Sequence, residues 1–510
     1  MKRETTMKRT RFATALLAAA MALAAPLAHG ASLRIGLQSD PDALDPATGT
    51  SFTGRIVFAA LCDKLVDIDP RMEFVPQLAT AWSWSADGLS LTMTLREGVV
   101  FHDGERFDAA AARDNLERYR TAPLSRRKAE LKAVSAVEAP DPRTLVLRLS
   151  EPFAPLLSVL ADRAGMMMSP RAVAAAGERV GANPACSGPF RLARRVPLER
   201  IVLERFDRYW DAGAIHVDGI EFMMIPDNTV RLVNLRAGQL DLIERVPPAD
   251  LKTVRADARL RLASTTGLAY QTMIINVGNG EKARGPLGRS PRIREALELA
   301  IDRGILNQVA IEGAYTPSNQ PEVPGSRYYN AARPVPQRDV ARARALLRQE
   351  GMERVPFTLR VVNSPVDVQV AEVIQAMAAE AGFDVRIEAT EAGTWVAATE
   401  RGDYEAAIGI WSGRPDPDGN VTIWLQCDGA VNRTKYCNPA LDDLFRQARL
   451  TNDVAQRQEL YRRASEIHLS DRPMLVLYHY TWIWGHSERL SGFVPHPDGL
   501  IRPQGLRLSR

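Results

Sequence analysis

The sequence predicts a mixed α/β protein with several lobes. Stretches typical of strands and of helices alternate along the whole chain, but without the regular strand–helix–strand period of a doubly wound sheet. The 510 residues correspond to roughly three domain-sized units once an N-terminal leader is set aside. The composition, with 45% hydrophobic and 25% charged residues, is ordinary for a globular chain with a large core.

The first half of the chain reads as short strands separated by turn-rich segments and a few helices. Residues 33–37 are a short apolar run, and residues 89–95 alternate strictly between apolar and polar, which is typical of a half-buried strand. Asp108 is placed to cap a helix. We further expect helices at 52–65 and 229–238, and strands at 144–149, 201–204 and 220–225.

The second half predicts longer helices between buried strands. Apolar residues at helical spacing predict one long amphipathic helix over 292–311 and one long helical region over 439–469. Helices over 339–350 and 368–381 are followed by Gly351 and Gly382, which suit helix C-termini. Runs rich in β-branched, apolar and aromatic residues predict strands at 357–362, 385–388, 406–410 and 474–484.

The N-terminus has the pattern of a secretory signal peptide. Five basic residues precede an uncharged, mostly apolar run over 12–27, which ends at Ala28-His29-Gly30. A membrane anchor is the alternative, but the run is shorter than the ~20 residues that a span needs. We therefore expect cleavage near Gly30 and a periplasmic mature protein, with Met7 as an alternative start.

Charge and motifs exclude several classes of protein. Residues 1–30 hold five of the 65 basic and one of the 61 acidic side chains, so the remaining chain has 60 of each. Such a balance gives no reason to expect nucleic acid as a partner. No nucleophile elbow, phosphate loop or His-Glu-x-x-His motif is present, so we expect no enzyme, no cofactor and no metal site.

Four cysteines follow the leader, an even number that suggests disulfides in an oxidising compartment. Cys427 and Cys437 flank a short polar stretch and are expected to pair. Cys62 would then pair with Cys186, although two buried free thiols are a serious alternative for these two residues.

Five stretches, in order, resemble the bacterial extracellular solute-binding proteins of family 5, which serve peptide, nickel and opine transporters. They are PQLATAW at 76–82 with DGLSLT at 87–92 and LREGVVFHDG at 95–104; SGPF at 187–190 with IVLERFDRYW at 201–210; IPD at 225–227 with LRAGQLD at 235–241; RIREAL at 292–297 with AIDR at 300–303; and YCNPALD at 436–442. The glycines and aromatic residues of these motifs are mainly turn and core positions, so they point to a scaffold rather than to a site.

The resemblance implies a fold like the type II periplasmic binding proteins, with two lobes, a hinge and an extra small domain on the first lobe. The expected first lobe comprises 32–75, 186–276 and 485–510, the small domain 76–185, and the second lobe 277–484. Ligand would bind between lobes that close around it. The expected hinges are residues 275–278 and 478–485.

The segment after a strand-ending tryptophan is expected to enter the cleft. Here it contains Trp411, Ser412, Arg414, Asp416 and Asp418. Dipeptide binders of the family carry an aspartate three residues after this tryptophan, which pairs with the peptide's amino group, whereas this sequence has Arg414. A guanidinium suits a carboxylate or a phosphate. The alternative is that Arg414 points outward or pairs with one of the two aspartates.

The dipeptide binders' second anchor is an arginine for the carboxylate, and it is also displaced. The corresponding position is about Val361, with Arg360 one residue away. Simple dipeptides are therefore less expected than opines, glutathione-like peptides or acidic peptide derivatives. Further candidate cleft residues, each equally readable as a turn or capping residue, are Ser39, Asp40, Thr48, Thr50, Tyr270 and Asn276.

The expected function is the substrate-binding component of an ABC import system for a peptide or peptide-like solute. The resemblance implies an inner-membrane permease with ATPase subunits as partner, and we expect a monomer. A nickel, haem, metal-chelate or opine binder on the same fold is the alternative, and a secreted hydrolase is a weaker one.

Overall fold

The computed structural model describes residues 32–509, and the predicted signal peptide lies outside them. Nineteen strands occur in this part of the chain: β1 Ser32–Leu37, β2 Val66–Ile68, β3 Phe74–Pro76, β4 Ala79–Trp84, β5 Ser90–Leu95, β6 Val134–Asp141, β7 Thr144–Leu149, β8 Phe190–Val196, β9 Arg200–Arg205, β10 Gly219–Met224, β11 Leu242–Ile243, β12 Leu260–Ile275, β13 Thr316–Pro317, β14 Val355–Val362, β15 Phe383–Thr390, β16 Ala406–Trp411, β17 Met474–Ser487, β18 Leu490–Ser491 and β19 Arg507–Leu508.

Fifteen α-helices accompany these strands in the described chain: α1 Phe52–Leu61, α2 Ala109–Thr121, α3 Leu156–Leu160, α4 Pro170–Ala176, α5 Asn228–Arg236, α6 Leu251–Ala256, α7 Pro286–Arg289, α8 Pro291–Ala300, α9 Arg303–Ile311, α10 Val340–Gln349, α11 Pro365–Ala381, α12 Ala392–Arg401, α13 Thr422–Leu425, α14 Pro439–Leu450 and α15 Val454–Asp471. None of them is long and apolar enough to cross a membrane.

Each of the two long helical regions predicted from the sequence consists of two separate helices in the structure. The expected helix over 292–311 is two helices, α8 and α9, because the Asp302 side chain accepts a hydrogen bond from the Ile305 N–H at 2.9 Å and starts a new helix. Asp453 does the same for α15, accepting from the Gln456 N–H at 2.7 Å. The apolar period continues across both breaks, so the period alone conceals them.

One large sheet extends through the molecule in the order β15-β14-β16-β12-β17-β11-β1-β10-β9-β8. At one end β14 is parallel to β15 and β16, and at the other β1 is parallel to β10 and β11. A separate four-stranded sheet has the order β4-β5-β7-β6. Three large apolar cores pack around these sheets, centred on Phe58 and Trp484, on Leu297 and Ile374, and on Phe101.

The long antiparallel pair β12–β17 joins the two ends of the large sheet. Its outer part pairs Leu260–Thr266 with Thr481–Ser487, and its inner part, from Tyr270 onward, also pairs with β16. Between them the register shifts, and residues 267–269 have no partner on β17. At Gly267 a β-carbon would lie 2.5 Å from the Trp482 indole nitrogen, so only glycine fits this crossing without a shift of its neighbours.

Both expected disulfides are present. Cys62, just after α1, is bonded to Cys186 just before β8, with 4.8 Å between the Cα atoms. Cys427 is bonded to Cys437 with a Cα separation of 4.4 Å, and closes the loop that precedes α14. The expected pairing is confirmed, and the free-thiol alternative for Cys62 and Cys186 is wrong.

Candidate functional site

The loop after β16 is held in one conformation by its own polar groups. Asn420 accepts a hydrogen bond from the Arg414 N–H and donates one to the Arg414 carbonyl, both at 2.6 Å. The Trp411 indole N–H donates to the Gly419 carbonyl at 3.0 Å. Gly413 has φ +74°, and a β-carbon there would lie 2.3 Å from the Leu268 carbonyl oxygen. The loop is therefore pressed against the crossing of β12 with no room for a side chain at that point.

Both aspartates of this loop are ion-paired with helical arginines. Asp416 receives two hydrogen bonds from Arg457, at 2.8 and 2.9 Å, and both side chains are 7% exposed. Asp418 pairs with Arg449 at 2.5 Å. The two carboxylates fix the loop to α14 and α15, so the structure places them as supports of Arg414 rather than as its partners.

Arg414 is left without a carboxylate partner among the described residues. Its Nη1 donates to the Ser412 hydroxyl at 3.0 Å and to the Gly413 carbonyl at 2.6 Å, and its guanidinium lies 5.4 Å from the centre of the Trp411 ring. Burial lowers the pKa of Arg414, and the nearby Arg55 lowers it further. Neither open alternative, an outward orientation or a pair with the loop aspartates, is what the structure shows.

Two arginines, Arg55 and Arg127, and two carboxylates, Asp162 and Glu130, lie close enough to Arg414 to act on its charge, and Arg163 lies 3.8 Å from Asp162. Arg55 pairs with Asp162 at 3.0 Å, and Arg127 pairs with Glu130 at 2.5 Å. The Arg163 guanidinium donates a hydrogen bond to the Gly49 carbonyl at 3.1 Å. We call Arg55, Arg127, Arg163 and Arg414, with Asp162 and Glu130, the arginine cluster.

The arginine cluster is buried and carries excess positive charge. Its four guanidiniums face two carboxylates, and Arg55, Arg127 and Arg163 are only 4–7% exposed. The Nε atoms of Arg127 and Arg163 have no hydrogen-bond partner. Burial lowers the pKa of Arg163 to about 10, and Arg55 and Arg127 lower it as well, while Asp162 opposes them. An anion placed here would meet donors that are already desolvated and crowded.

The polar side chains of the loop before α1 bond mainly to groups within the loop or next to it. The Ser39 hydroxyl is 2.7 Å from that of Thr53, and Asp40 pairs with Arg195 at 2.9 Å. The Thr48 hydroxyl contacts the Asp45 carbonyl, and the Thr50 hydroxyl donates to Asp42 at 2.5 Å. The loop reaches the arginine cluster instead through the backbone carbonyl of Gly49, which contacts both Arg127 and Arg163.

The two expected crossover residues are buried. The Tyr270 hydroxyl donates to the Asn420 carbonyl at 3.0 Å, so Tyr270 supports the Arg414 loop from behind. The Asn276 amide donates to the carbonyls of Gly402 and Tyr404 at the far end of β12, away from Arg414. Tyr270 and Asn276 thus have structural partners.

The residues at the position of the second dipeptide anchor have structural roles. Val361 is fully buried in the core, and Arg360 pairs with Glu388 at 3.1 Å on the neighbouring strand. No cationic group from β14 therefore contributes to the arginine cluster in the described structure.

A cavity of about 450 Å³ opens beside Arg414. We call it the Arg414 cavity; its walls come from the β3–β4 region, from α3, from the loop after β13, and from the Arg414 loop with α15. The residues that line it are Arg71, Met72, Glu73, Phe74, Trp84, Ala154, Leu157, Leu268, Glu322, Val323, Gly325, Ser326, Arg327, Tyr328, Arg414, Pro415, Asp416, Pro417, Asn420, Asn452, Val454 and Arg457.

Sequence reasoning missed the arginine cluster except for Arg414. Arg55 lies inside α1, Arg127 lies in the loop after α2, and Arg163 begins a short 3-10 helix after α3, all outside the motifs that carry the family resemblance. The one available signal was the local excess of basic residues over 126–128, next to Glu130. Nothing in the sequence placed these side chains opposite residue 414.

A family model matches residues 73–432 of the chain, and it is described as bacterial extracellular solute-binding proteins, family 5 Middle. The chain belongs to this family. Among the described residues no group of three His, Cys, Asp or Glu side chains could hold a metal ion.

The relatives match over nearly the whole chain. The glutathione-binding protein GsiB of Pectobacterium atrosepticum is 29% identical over 97% of this chain and 98% of its own length. GsiB of Escherichia coli K12 is 28% identical over 94% of this chain and 96% of its own length.

Solved structures show the same fold. The ABC transporter substrate-binding protein CtaP of Listeria monocytogenes superposes with a TM-score of 0.86 at 21% identity, over 94% of this chain and all of its own. Periplasmic DppA of Helicobacter pylori, in complex with the peptide STSA, gives 0.80 at 24% identity, over 94% and 99%. The predicted family and fold class are confirmed, and the chain is a non-catalytic solute-binding protein of the ABC-transporter type.

Proposed function

We propose that this chain captures a peptide-like anion for an ABC importer, and that glutathione is the first candidate. The observation that carries the proposal is the position of Arg414, where the family's dipeptide binders have an aspartate. A dipeptide's ammonium would meet a cation here, whereas a carboxylate would meet a guanidinium without a carboxylate partner among the described residues. Charge-assisted bonds to a planar guanidinium favour a carboxylate at this point.

The net charge of the arginine cluster supports an anionic ligand. Asp162 and Glu130 neutralise only part of the four guanidiniums. Burial is the main reason that the pKa of Arg163 is lowered, and the neighbouring Arg55 and Arg127 lower it further. A ligand with one or two carboxylates would relieve this repulsion on binding. A neutral sugar would leave the repulsion in place, so the charge argues against it.

Glutathione fits these requirements in charge and size. It is a tripeptide with two carboxylates and one ammonium, so it brings net negative charge at neutral pH. A cavity of about 450 Å³ is within the range of roughly 300–1,000 Å³ that small-molecule sites occupy. The GsiB relatives, which are named for glutathione, match this chain from end to end.

The proposed working cycle is closure around the solute and delivery to a membrane permease. The lobes would be residues 32–75, 186–276 and 485–509 on one side and 277–484 on the other, with residues 76–185 as a small domain. In place of the expected hinge at residues 275–278, we propose the unpaired residues 267–269 and the facing part of β17, where the register shifts, so the lobe boundary on β12 would move to about residue 267. A leader cleaved near Gly30 would bring the protein to the periplasm, and the structurally similar DppA is a periplasmic binding protein.

A thermal-shift screen with glutathione, the dipeptide Met-Leu, an opine carboxylate and nickel–histidine tests the proposal. Glutathione at 100 times its dissociation constant should stabilise the protein by about 2.7 kcal/mol, without turnover. The opine tests the same arginine chemistry with a different carboxylate ligand. Stabilisation by nickel–histidine alone, or by none of the four compounds, would overturn the proposal.

A further inference from the structure

Glu322 is an unpaired carboxylate in the wall of the Arg414 cavity. The residue is 7% exposed, and its Oε1 has no hydrogen-bond partner. It makes no ion pair with any cation in residues 32–509 of the structure. Burying a carboxylate without a partner is costly, so an unexplained one beside a ligand cavity indicates a group that a ligand completes.

The loop that carries Glu322 is rigid. It follows β13, and Pro321 and Pro324 restrict the backbone on both sides of Glu322. The Gln320 side chain donates to the Asn330 carbonyl at 3.0 Å and accepts from the Asn330 N–H at 2.9 Å. These contacts restrain the backbone that carries Glu322, so less backbone entropy would be lost when a ligand binds there.

The surroundings of Glu322 provide no ion-pair partner for its ionised form in the described structure. The charged groups that line the same cavity are Arg71, Glu73, Arg327, Arg414, Asp416 and Arg457. Asp416 and Arg457 are paired with each other, and Arg327 is paired with Glu73.

Two aromatic residues pack behind the carboxylate, and both are uncharged at neutral pH. Burial keeps the pKa of Tyr270 well above its usual value and lowers the pKa of His479 to about 4. With no cation in contact, burial raises the pKa of Glu322 to about 8. At pH 7 the ligand-free carboxyl is therefore mostly protonated.

We propose that Glu322 binds the ammonium group of the solute, at the opposite end from the carboxylate that Arg414 holds. The inference rests on the proposed function, because it assigns the second charged end of the same peptide-like ligand. Glu322 would then replace, from another loop, the aspartate that Arg414 displaces after Trp411. The ligand class becomes a zwitterionic peptide with excess carboxylates rather than any anion. Binding would expel the carboxyl proton, because an ammonium stabilises the charged form.

The test compares glutathione with glutaryl-cysteinylglycine, which has the same skeleton and carboxylates but no ammonium. Calorimetric titration of the wild type should show glutathione binding about 10- to 150-fold more tightly than this analogue. Glu322→Gln should lose most of that preference, and Glu322→Asp should keep part of it. Glu353→Gln, an exposed substitution away from the cavity, is the control and should keep the full preference.

Proton release is a second readout that loss of packing would not produce. Titrations with glutathione at pH 7, in buffers of different ionisation enthalpy, should show close to one proton released by the wild type and almost none by Glu322→Gln. Melting curves check that the variants fold.

Three results overturn the inference. The first is equal binding of the two ligands to the wild type, and the second is an undiminished preference in Glu322→Gln. If either of these two results is obtained while Arg414→Ala still weakens binding, the proposed function remains supported. The third, no binding of either ligand, removes glutathione as the solute together with this inference, and the opine arm of the thermal-shift screen then decides the proposed function.

Discussion

At the scale of single residues, removal of the Arg414 side chain should lower the affinity for the ligand and change the stability of the fold little. Within residues 32–509, its guanidinium donates hydrogen bonds only to the Ser412 hydroxyl and the Gly413 carbonyl, both in its own loop. Arg414→Ala should weaken glutathione binding by about 1–3 kcal/mol, or about 5- to 150-fold. Arg414→Lys should restore part of the affinity, because an ammonium cannot make the two-pronged contact.

Calorimetric titration and melting curves check this prediction together. Unchanged affinity in Arg414→Ala would reduce Arg414 to a loop residue. A large drop in melting temperature would instead assign it to the fold.

Asp416 should behave in the opposite way. It is paired with Arg457, and both side chains are almost completely buried. Asp416→Asn leaves that guanidinium uncompensated and should lower the free energy of unfolding by about 3–5 kcal/mol. Asp443→Asn, which removes an exposed pair with Arg446, should change the free energy of unfolding far less, because solvent screens that pair. Urea unfolding measures both, and equal small losses would contradict the structural role of Asp416.

The sequence identified the Arg414 loop but not the side chains that face it. Trp411, Ser412 and Arg414 follow a recognisable strand, so local pattern and family resemblance were enough to find them. Arg55, Arg127, Arg163 and Glu322 come from four distant segments and meet only through tertiary packing. Ser39, Asp40, Thr48 and Thr50 have structural partners, consistent with the turn and capping chemistry that was the alternative for them.

At the scale of elements, the sequence predicted strands and helices well where a local signal ends them. Asp108 caps α2 as expected, with its side chain accepting from the Ala111 N–H at 2.9 Å. Gly382 ends α11 with φ +101°, a conformation that glycine adopts without strain. The sequence prediction merged α8 with α9 and α14 with α15, because in each case a capping aspartate starts a new helix without interrupting the apolar period. The sixteen-residue strand β12 was missed because its pairing with β17 joins segments about 200 residues apart.

The disulfide between Cys427 and Cys437 stabilises an element-sized loop next to α14. Replacing both cysteines by serine should lower the free energy of unfolding by about 3 kcal/mol, because the short loop regains its freedom in the unfolded chain. Denaturant unfolding of the wild type and the double variant measures this. The reduced wild type would lose Cys62–Cys186 as well, so it is not the right comparison. A double variant as stable as the wild type would show that the bridge adds nothing to the fold.

At the scale of the whole molecule, the balance of 60 basic and 60 acidic residues beyond the leader conceals a local excess of positive charge. The arginine cluster brings together side chains from α1, from the segments after α2 and α3, and from the loop after β16. Composition cannot reveal such a site, because the opposite charges lie elsewhere on the surface. The overall fold, in contrast, followed from motifs spread along the chain. Arg414 alone already favoured an anionic ligand at the sequence level, and the three-dimensional arrangement added the arginines that lie near it.

The central claim is that the solute is held through its carboxylates. The most direct measurement is calorimetric titration of the wild-type protein with glutathione and with glutathione diethyl ester, in which both carboxylates are neutralised. We expect glutathione to bind and the ester to bind at least about 10-fold more weakly, because the ester offers the guanidinium of Arg414 no charged partner. Equal affinities for the two compounds would contradict it.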